Sequence, residues 1–342
     1  MGIRRLSLVV AVLALLAAAC GAQEEPSSPA GGSEAAATDA GGSEAAGGED
    51  GATASLECQA VDVIIPYSPG GGSDQQVRRL QSALEDATGT RLNITYQEGG
   101  DGSVGWNALA NAAPDGCTIS NVVLPNISNL SLTAGEEVGF NAEDFEYIAF
   151  TEYSPNIIGV GKDSEYQTIE DFINAAKENP GKLSIAGVGS NGELLVNEVL
   201  TATDMEITYV PVSGGVGDII PQVAGGHVDA AISGFSLLDG EQLIPIALSG
   251  TELHEDFPDV PTFEEAGYPG VNLVTTWGFI LPPETPQEIV EAWNAAVQKA
   301  LQDEKVQEAY AETSFIVLEQ DAAEARSYFE EQHEATKTTL GQ

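Results

Sequence analysis

Four times in this chain an apolar, strand-like run ends in a cluster of glycines that opens onto a helix-like segment. SPGGGSD (68–74) follows VDVII, and GGDGSVG (99–105) follows the next apolar run. GVGSNGE (187–193) and SGGVGD (213–218) repeat the arrangement further on. Glycine reaches backbone conformations closed to other residues, so such turns can aim several N–H groups at one point. A helix that begins there adds the positive end of its dipole. One glycine-rich turn means little. Four at strand-to-helix junctions, two in each half of the body, predict two sets of main-chain donors facing across a cleft and suited to a small anion.

The rest of the pattern alternates in the same way. Strands are expected at 61–65, 92–97, 118–124, 145–150, 156–160, 183–187, 207–210, 228–233, 244–249 and 272–281. Helices are expected at 73–87, 104–112, 168–178, 192–202, 216–225, 286–302 and 303–312. Strands separated by helix-length segments argue for parallel-rich α/β sheets, whose ligands sit beyond the carboxyl ends of the strands. From about residue 56 onward the chain is of a length that divides into two lobes.

The N-terminus predicts export. Arg4 and Arg5 precede an apolar run from Leu6 to Ala19, too short to span a bilayer, with the plan of a signal peptide. Ala17-Ala18-Ala19-Cys20 looks like a bacterial lipobox, with Ala17 where Leu is usual. Residues 1–19 are then removed and Cys20 becomes a lipidated N-terminus; an ordinary secretory signal with an incidental cysteine is the alternative. Residues 20–55 are mostly Gly, Ala, Ser, Glu and Asp, a composition that cannot offset its ordering entropy by burial. They are expected to form a disordered acidic tether that keeps the folded part extracytoplasmic and anchored to the cell membrane.

Charge excludes one class of partner. With 53 acidic against 12 basic residues and a formal net charge of −41, the surface lacks the clustered Lys and Arg that nucleic acid needs. Of three cysteines, Cys58 and Cys117 remain after lipidation, each just before an apolar strand. If those strands are parallel neighbours, their starts lie side by side and a disulfide is geometrically reasonable.

Enzymatic motifs are missing. GDGSVG (100–105) is formally GxGxxG, but it follows the second strand and no acidic ribose partner ends the next one. There is no GxSxG, HExxH or GxxxxGK[ST]. His227, His254 and His333 are scattered outside the glycine loops. The reading is therefore a non-enzyme without cofactor or metal. The sequons at Asn93, Asn126 and Asn129 carry no weight in a bacterial lipoprotein.

In order along the chain, VIIPYSPGGGSD, GGDGSVG, AAPDGCTI (112–119), ENPGKLSIAGVG (178–189), GGHVDAAISG (225–234), DVPTFEEAGYPG (259–270) and WGFILPPETPQEIV (277–290) carry a family resemblance. The chain resembles the extracytoplasmic solute receptors of tripartite tricarboxylate transporters, the TctC or Bug group. The resemblance implies a two-lobed periplasmic-binding-protein fold, type II-like, closing over a small organic carboxylate. Lobe one would comprise 56–155 and 278–342, and lobe two 156–277, with crossover strands between them. The implied partners are the carboxylate and the permease subunits of the transporter, with the receptor a monomer. A sensory module signalling to a membrane kinase is the alternative.

Carried over by resemblance, the lobe-one contacts are Tyr67, Ser68, Gly70, Gly71, Gly72, Ser73, Asp74, Gly102, Ser103, Val104 and Gly105. Asp74 could instead pin its loop and cap the helix, Ser73 could be a cap or a donor, and Trp106 is expected in the core. Lobe-two candidates are Asn156, Ser190, Asn191, Gly192, Gly214, Gly215 and Asp218. Lobe two also departs from the family pattern. Small hydroxylated positions are replaced by Gly192, Glu193 and Leu194, and a common Lys by Ser213. Glu193 either caps its helix or faces the ligand. These changes favour a monocarboxylate or amino-acid-like ligand over a tricarboxylate.

Overall fold

The computed structural model describes residues 57–342 apart from 213–215 and 239–240. The signal peptide, the lipidated Cys20, the tether and the candidates Gly214 and Gly215 lie outside the described residues. The chain first forms β1 (Ala60–Ile65), α1 (Gly72–Thr88), β2 (Arg91–Tyr96), α2 (Ser103–Ala110), β3 (Thr118–Leu124), α3 (Asn126–Ala134) and β4 (Glu146–Pro155). It continues as β5 (Ile157–Gly161), α4 (Ile169–Glu178), β6 (Ser184–Val188), α5 (Gly189–Thr203), β7 (Thr208–Val212), α6 (Val216–Ala224), β8 (Ala230–Ser233) and β9 (Leu243–Leu248). It ends with β10 (Val274–Leu281), α7 (Gln287–Leu301), α8 (Glu304–Ala311), β11 (Ile316–Val317) and α9 (Ala322–Thr339).

Two sheets result, ordered β11-β4-β10-β3-β1-β2 and β7-β6-β8-β5-β9. The helix-linked strands are parallel: β1 with β2 and β3, and β6 with β7 and β8. The strands that carry the chain between lobes, β4 with β10 and β5 with β9, pair antiparallel, so each sheet is mixed. The whole of lobe two lies between β4 and β10, and a chain that leaves a lobe and returns beside its own exit must reverse direction. β10 runs from Val274, four residues before the boundary expected at 278.

Side-chain alternation along β1 sets the layers of lobe one. Val61, Val63 and Ile65 face a core shared with Val77, Leu80 and Leu84 of α1 and Trp293 and Val297 of α7. Ile64 faces the other way, onto Trp106 and Leu109 of α2. α1 stops where Gly89 takes the left-handed conformation, φ 68°, that ends a helix without steric cost. Cys58 and Cys117 are joined by a disulfide at the starts of β1 and β3, which pair in parallel register from Asp62 opposite Thr118.

α3 and α9 arise where no helix was expected. NISNLSLTA has a weak apolar stripe, and its first turn is set by tertiary packing of Ile127 and Asn129. α9 carries a capping box, Asp321 with Glu324, but few apolar residues. Its Ala325 and Phe329 pack on lobe one, whereas Ala335 and Leu340 pack on lobe two.

The hinge is a hydrogen-bonded knot. Asn156, between β4 and β5, exchanges main-chain bonds with Ser249, its N–H going to Ser249 Oγ (2.8 Å) and its carbonyl taking Ser249 N–H (2.7 Å). Its side chain donates to Leu273 O (2.8 Å) and accepts from Thr275 Oγ1 (2.8 Å). Glu198 of α5 joins the knot from lobe two: Oε1 accepts the N–H groups of Asn272 (3.0 Å) and Leu273 (3.1 Å). Burial pushes the Glu198 carboxyl up to about 7, against the two backbone hydrogen bonds that favour its charged form.

The sign of the consequence follows by linkage. Below about pH 4.5 the folded and unfolded chains both hold this proton; between there and about 7 only the folded chain does. Glu198 therefore removes about 3 kcal/mol of stability as pH rises through that window and nothing further above it. Glu198→Gln keeps an oxygen for both N–H groups and cannot titrate. The difference in urea midpoint between variant and parent is expected to grow from pH 5 to pH 7; a constant difference would show that Glu198 does not titrate in this range.

Candidate functional site

The loops after β1, β2 and β3 in lobe one and after β6 in lobe two come together between the lobes. After β1, Gly71 is the N-cap of α1 and supplies no side-chain cap. The first N–H groups of a helix have no intrahelical acceptor, and those of Gly72, Ser73 and Asp74 meet no acceptor among the described residues. These three N–H groups open α1, and of them only that of Gly72 belongs to the glycine run itself. The two preceding amides are already used, since Gly70 N–H bonds to Asp74 Oδ2 (2.7 Å) and Gly71 N–H to Ser68 O (3.3 Å).

Asp74 is consequently the brace of the loop. Its other oxygen accepts from Tyr96 OH (2.7 Å) and Arg78 Nε (2.8 Å). Burial raises its proton affinity, but the bonds from Tyr96 and Gly70 and the Arg78 charge outweigh that and hold its carboxyl below the usual carboxylate range. A carboxylate with its lone pairs this occupied orders the cradle and is not available to a ligand. Ser68 is drawn off similarly, its hydroxyl donating to Glu98. Ser73 is buried and does not cap α1.

The second loop is wound by a run of left-handed residues: Gly99 (φ 129°), Gly100 (54°), Asp101 (55°) and Gly102 (103°). The third glycine of the motif has a packing role, because a Cβ on Gly105 would lie 2.9 Å from Pro66 Cα and 3.1 Å from Gln97 O. That closeness seats the start of α2 against the ends of β1 and β2. Ser103 is half-buried and Val104 is 48% exposed beside it. Tyr67 donates to Asp101 O (3.1 Å) and stacks edge-on against the fully buried Trp106. Burial first, then the Asp101 charge, push the Tyr67 phenol far above its ordinary value, so it remains a neutral donor.

A third junction was not anticipated. After β3 and Pro125, Asn126 opens α3, so three helix N-termini stand side by side at the ends of three adjacent strands. The signal available in the sequence was Pro125 directly after an apolar run, a common helix-start position. Trp277 was also missed. Its ring lies 3.1 Å from a Cβ placed on Gly72 and 4.0 Å from one placed on Gly234, so this crossover-strand side chain stands between the two lobes.

In lobe two, α5 begins at Gly189, three residues before its expected start, so Glu193 lies in the second turn, exposed, and caps nothing. Gly192 is a packing glycine: a Cβ there would fall 2.5 Å from Tyr209 OH and 2.7 Å from Gly187 Cα. Asn156 belongs to the hinge, where its side chain donates to Leu273 O and accepts from Thr275 Oγ1. Ser190 N–H and Oγ both donate to Asp101 Oδ2 of lobe one (3.1 and 2.8 Å). Asn191 keeps an enclosed side-chain oxygen without a donor among the described residues, as does Asn126. Asp218 is exposed in the first turn of α6.

With this geometry in view, the sequence profile of the tripartite tricarboxylate transporter family receptor, TctC, matches residues 76–341. The chain belongs to the TctC family. The UPF0065 protein in the tcbD-tcbE intergenic region of Pseudomonas sp. (strain P51) is 28% identical over 274 residues, 75% of this chain and 80% of the relative. Protein BugT of Bordetella pertussis is 27% identical over 261 residues, 73% and 79% of the two chains. Among solved structures, MatC from Rhodopseudomonas palustris superposes with a TM-score of 0.73 at 22% identity, covering 82% of this chain and 98% of MatC. A second R. palustris protein, solved with adipate, gives 0.73 at 25% identity, covering 82% and 97%. The two-lobed solute-receptor fold of the TctC family is thereby established for this chain. Among the described residues, no helix is long and apolar enough to cross a membrane, and no His, Cys, Asp or Glu cluster could hold a metal.

Proposed function

We propose that this TctC receptor captures a small organic carboxylate on the helix N-termini of lobe one, closes over it, and presents the closed form to the membrane subunits of a tripartite transporter. The observation that carries this is the set of unclaimed N–H groups of Gly72, Ser73 and Asp74. They stand beside α2 and α3 N-termini, while the carboxylate of their own helix turn, Asp74, is bound back into the loop. Malate and adipate are named with two structural relatives, which fits a carboxylate. Cys20 would anchor the receptor to lipid and residues 20–55 would let it reach its permease.

A net charge of −41 does not oppose this. The repulsive potential is screened beyond about 8 Å at physiological ionic strength. Charge-assisted hydrogen bonds act at contact, at about 1.5–3 kcal/mol each, and gain strength as closure removes water. Mass spectrometry of small molecules released by denaturing freshly purified protein tests the reading. A stoichiometric organic acid is expected, and re-adding it should raise the melting temperature; release of only non-acidic compounds would overturn the assignment.

A further inference from the structure

The lobe-two helix α5 has no cap of its own, since Val188 precedes it and supplies no side-chain hydrogen bond. Its cap comes from the opposite lobe. Asp101 places Oδ2 on Ser190 N–H (3.1 Å) and on Ser190 Oγ (2.8 Å). Its other oxygen, Oδ1, lies 2.6 Å from where a Cβ on Gly189 would be, so only a glycine at 189 admits the carboxylate this closely. Asp101 itself is held for the task by a left-handed backbone (φ 55°) between two positive-φ glycines and by Tyr67 OH on its carbonyl. Asn129 of α3 takes Ser190 from the other side, donating to its carbonyl (3.2 Å).

Resting on the carboxylate reading above, we propose that Asp101 is a specificity-determining latch: the receptor's own carboxylate fills the lobe-two position that a ligand's second carboxylate would otherwise take. Two anions cannot share one pair of donors at contact distance without strong repulsion. A ligand with an anionic far end must therefore displace Asp101 and give up the interlobe bond that closure depends on. A ligand whose far end is neutral or cationic leaves the latch in place, and a cationic end gains from the acidic side chain beside it. The enclosed, donor-less oxygen of Asn191, in the first turn of α5, suits a far end that donates hydrogen bonds. The ligand class assigned is a monocarboxylate, including amino acids with a distal amine.

Calorimetric titration of the full chain with three five-carbon acids, pentanoate, 5-aminopentanoate and glutarate, tests this. Pentanoate and 5-aminopentanoate are expected to bind at least tenfold more tightly than glutarate. Asp101→Asn, which tolerates the same backbone conformation, should narrow the gap between pentanoate and glutarate at least tenfold. Glutarate binding the parent as tightly as pentanoate, or an unchanged ratio in Asp101→Asn, overturns the proposal. If none of the three binds, the carboxylate reading is judged by the released-acid measurement, and the latch by ligand-free small-angle scattering of parent and Asp101→Gly. A larger radius of gyration in Asp101→Gly supports the latch, and an equal one overturns it.

Discussion

Gly72→Val is expected to weaken binding of the receptor's natural acid about 100-fold or more while leaving the protein folded. Gly72 is the first residue of α1, and its φ lies outside the left-handed range, so a side chain costs no backbone strain there. Its Cβ would meet the Trp277 ring at 3.1–3.3 Å, and this half-buried indole can give by the few tenths of an ångström required. The two valine methyls, however, would extend into the space in front of the Gly72, Ser73 and Asp74 amides. Losing two charge-assisted bonds of about 1.5–3 kcal/mol each is enough for a hundredfold loss. Ser73→Ala is the matched control. It removes one hydroxyl, worth about 1 kcal/mol, and should cost about fivefold. Titration calorimetry with the acid recovered from the protein separates the cases: if Ser73→Ala hurts more than Gly72→Val, side chains and not amides hold the ligand.

Arg79→Ala should lower stability by about 3–5 kcal/mol, the largest single-site effect expected here outside the apolar core. Arg79 of α1 forms an ion pair with Glu152 of β4, and the two side chains are 8% and 1% exposed. Tyr310 of α8 donates to the same Glu152 oxygen (2.6 Å), and the guanidinium lies over the Tyr310 ring at 4.6 Å. Burial pushes the Glu152 carboxyl up, and the Arg79 charge and hydrogen bonds from Tyr310 and Arg79 oppose it. Removing Arg79 strips away the main opposition and leaves a carboxylate sealed in the protein with one phenol for company. The melting temperature should fall by about 10 °C. Because desolvating an ion pair costs nearly what the pair returns, the double change Arg79→Met with Glu152→Leu should recover most of the loss. A double variant no more stable than Arg79→Ala would show that the pair itself, and not the unpaired charge, is what matters. The position also ties to the site, since Thr151, the residue before Glu152 on β4, donates to Trp277 O (3.4 Å).

The ends of the helix-linked strands and the glycine turns that follow them were legible because their causes are local. Apolar runs of strand length, Gly where φ must be positive, and a short polar residue to begin a helix each act within a few residues. That is why the helix start at Gly72 and the left-handed winding of 99–102 could be anticipated from SPGGGSD and GGDGSVG. α3 was not legible, because Asn126–Ala134 has a weak apolar face and becomes helical only against its neighbours. The roles inside the loops were also opaque. Nothing in the motif distinguishes Gly72, which opens an amide, from Gly105, which lets Pro66 come close, or Gly192, which makes room for Tyr209.

The sequence by itself determined that this chain is an α/β receptor with glycine-rich turns at its strand ends, since glycine freedom and side-chain periodicity depend on the order of residues alone. Which polar groups remain free for a ligand was decided only by the tertiary structure. Asp74 turned back to Gly70 and Tyr96, Asn156 was drawn into the hinge, and Asp101 crossed to Ser190. A hydrogen bond saturates. Whether a polar group is still available depends on partners that, beyond the local Gly70, lie 22 to 119 residues away in the chain and a few ångströms away in space.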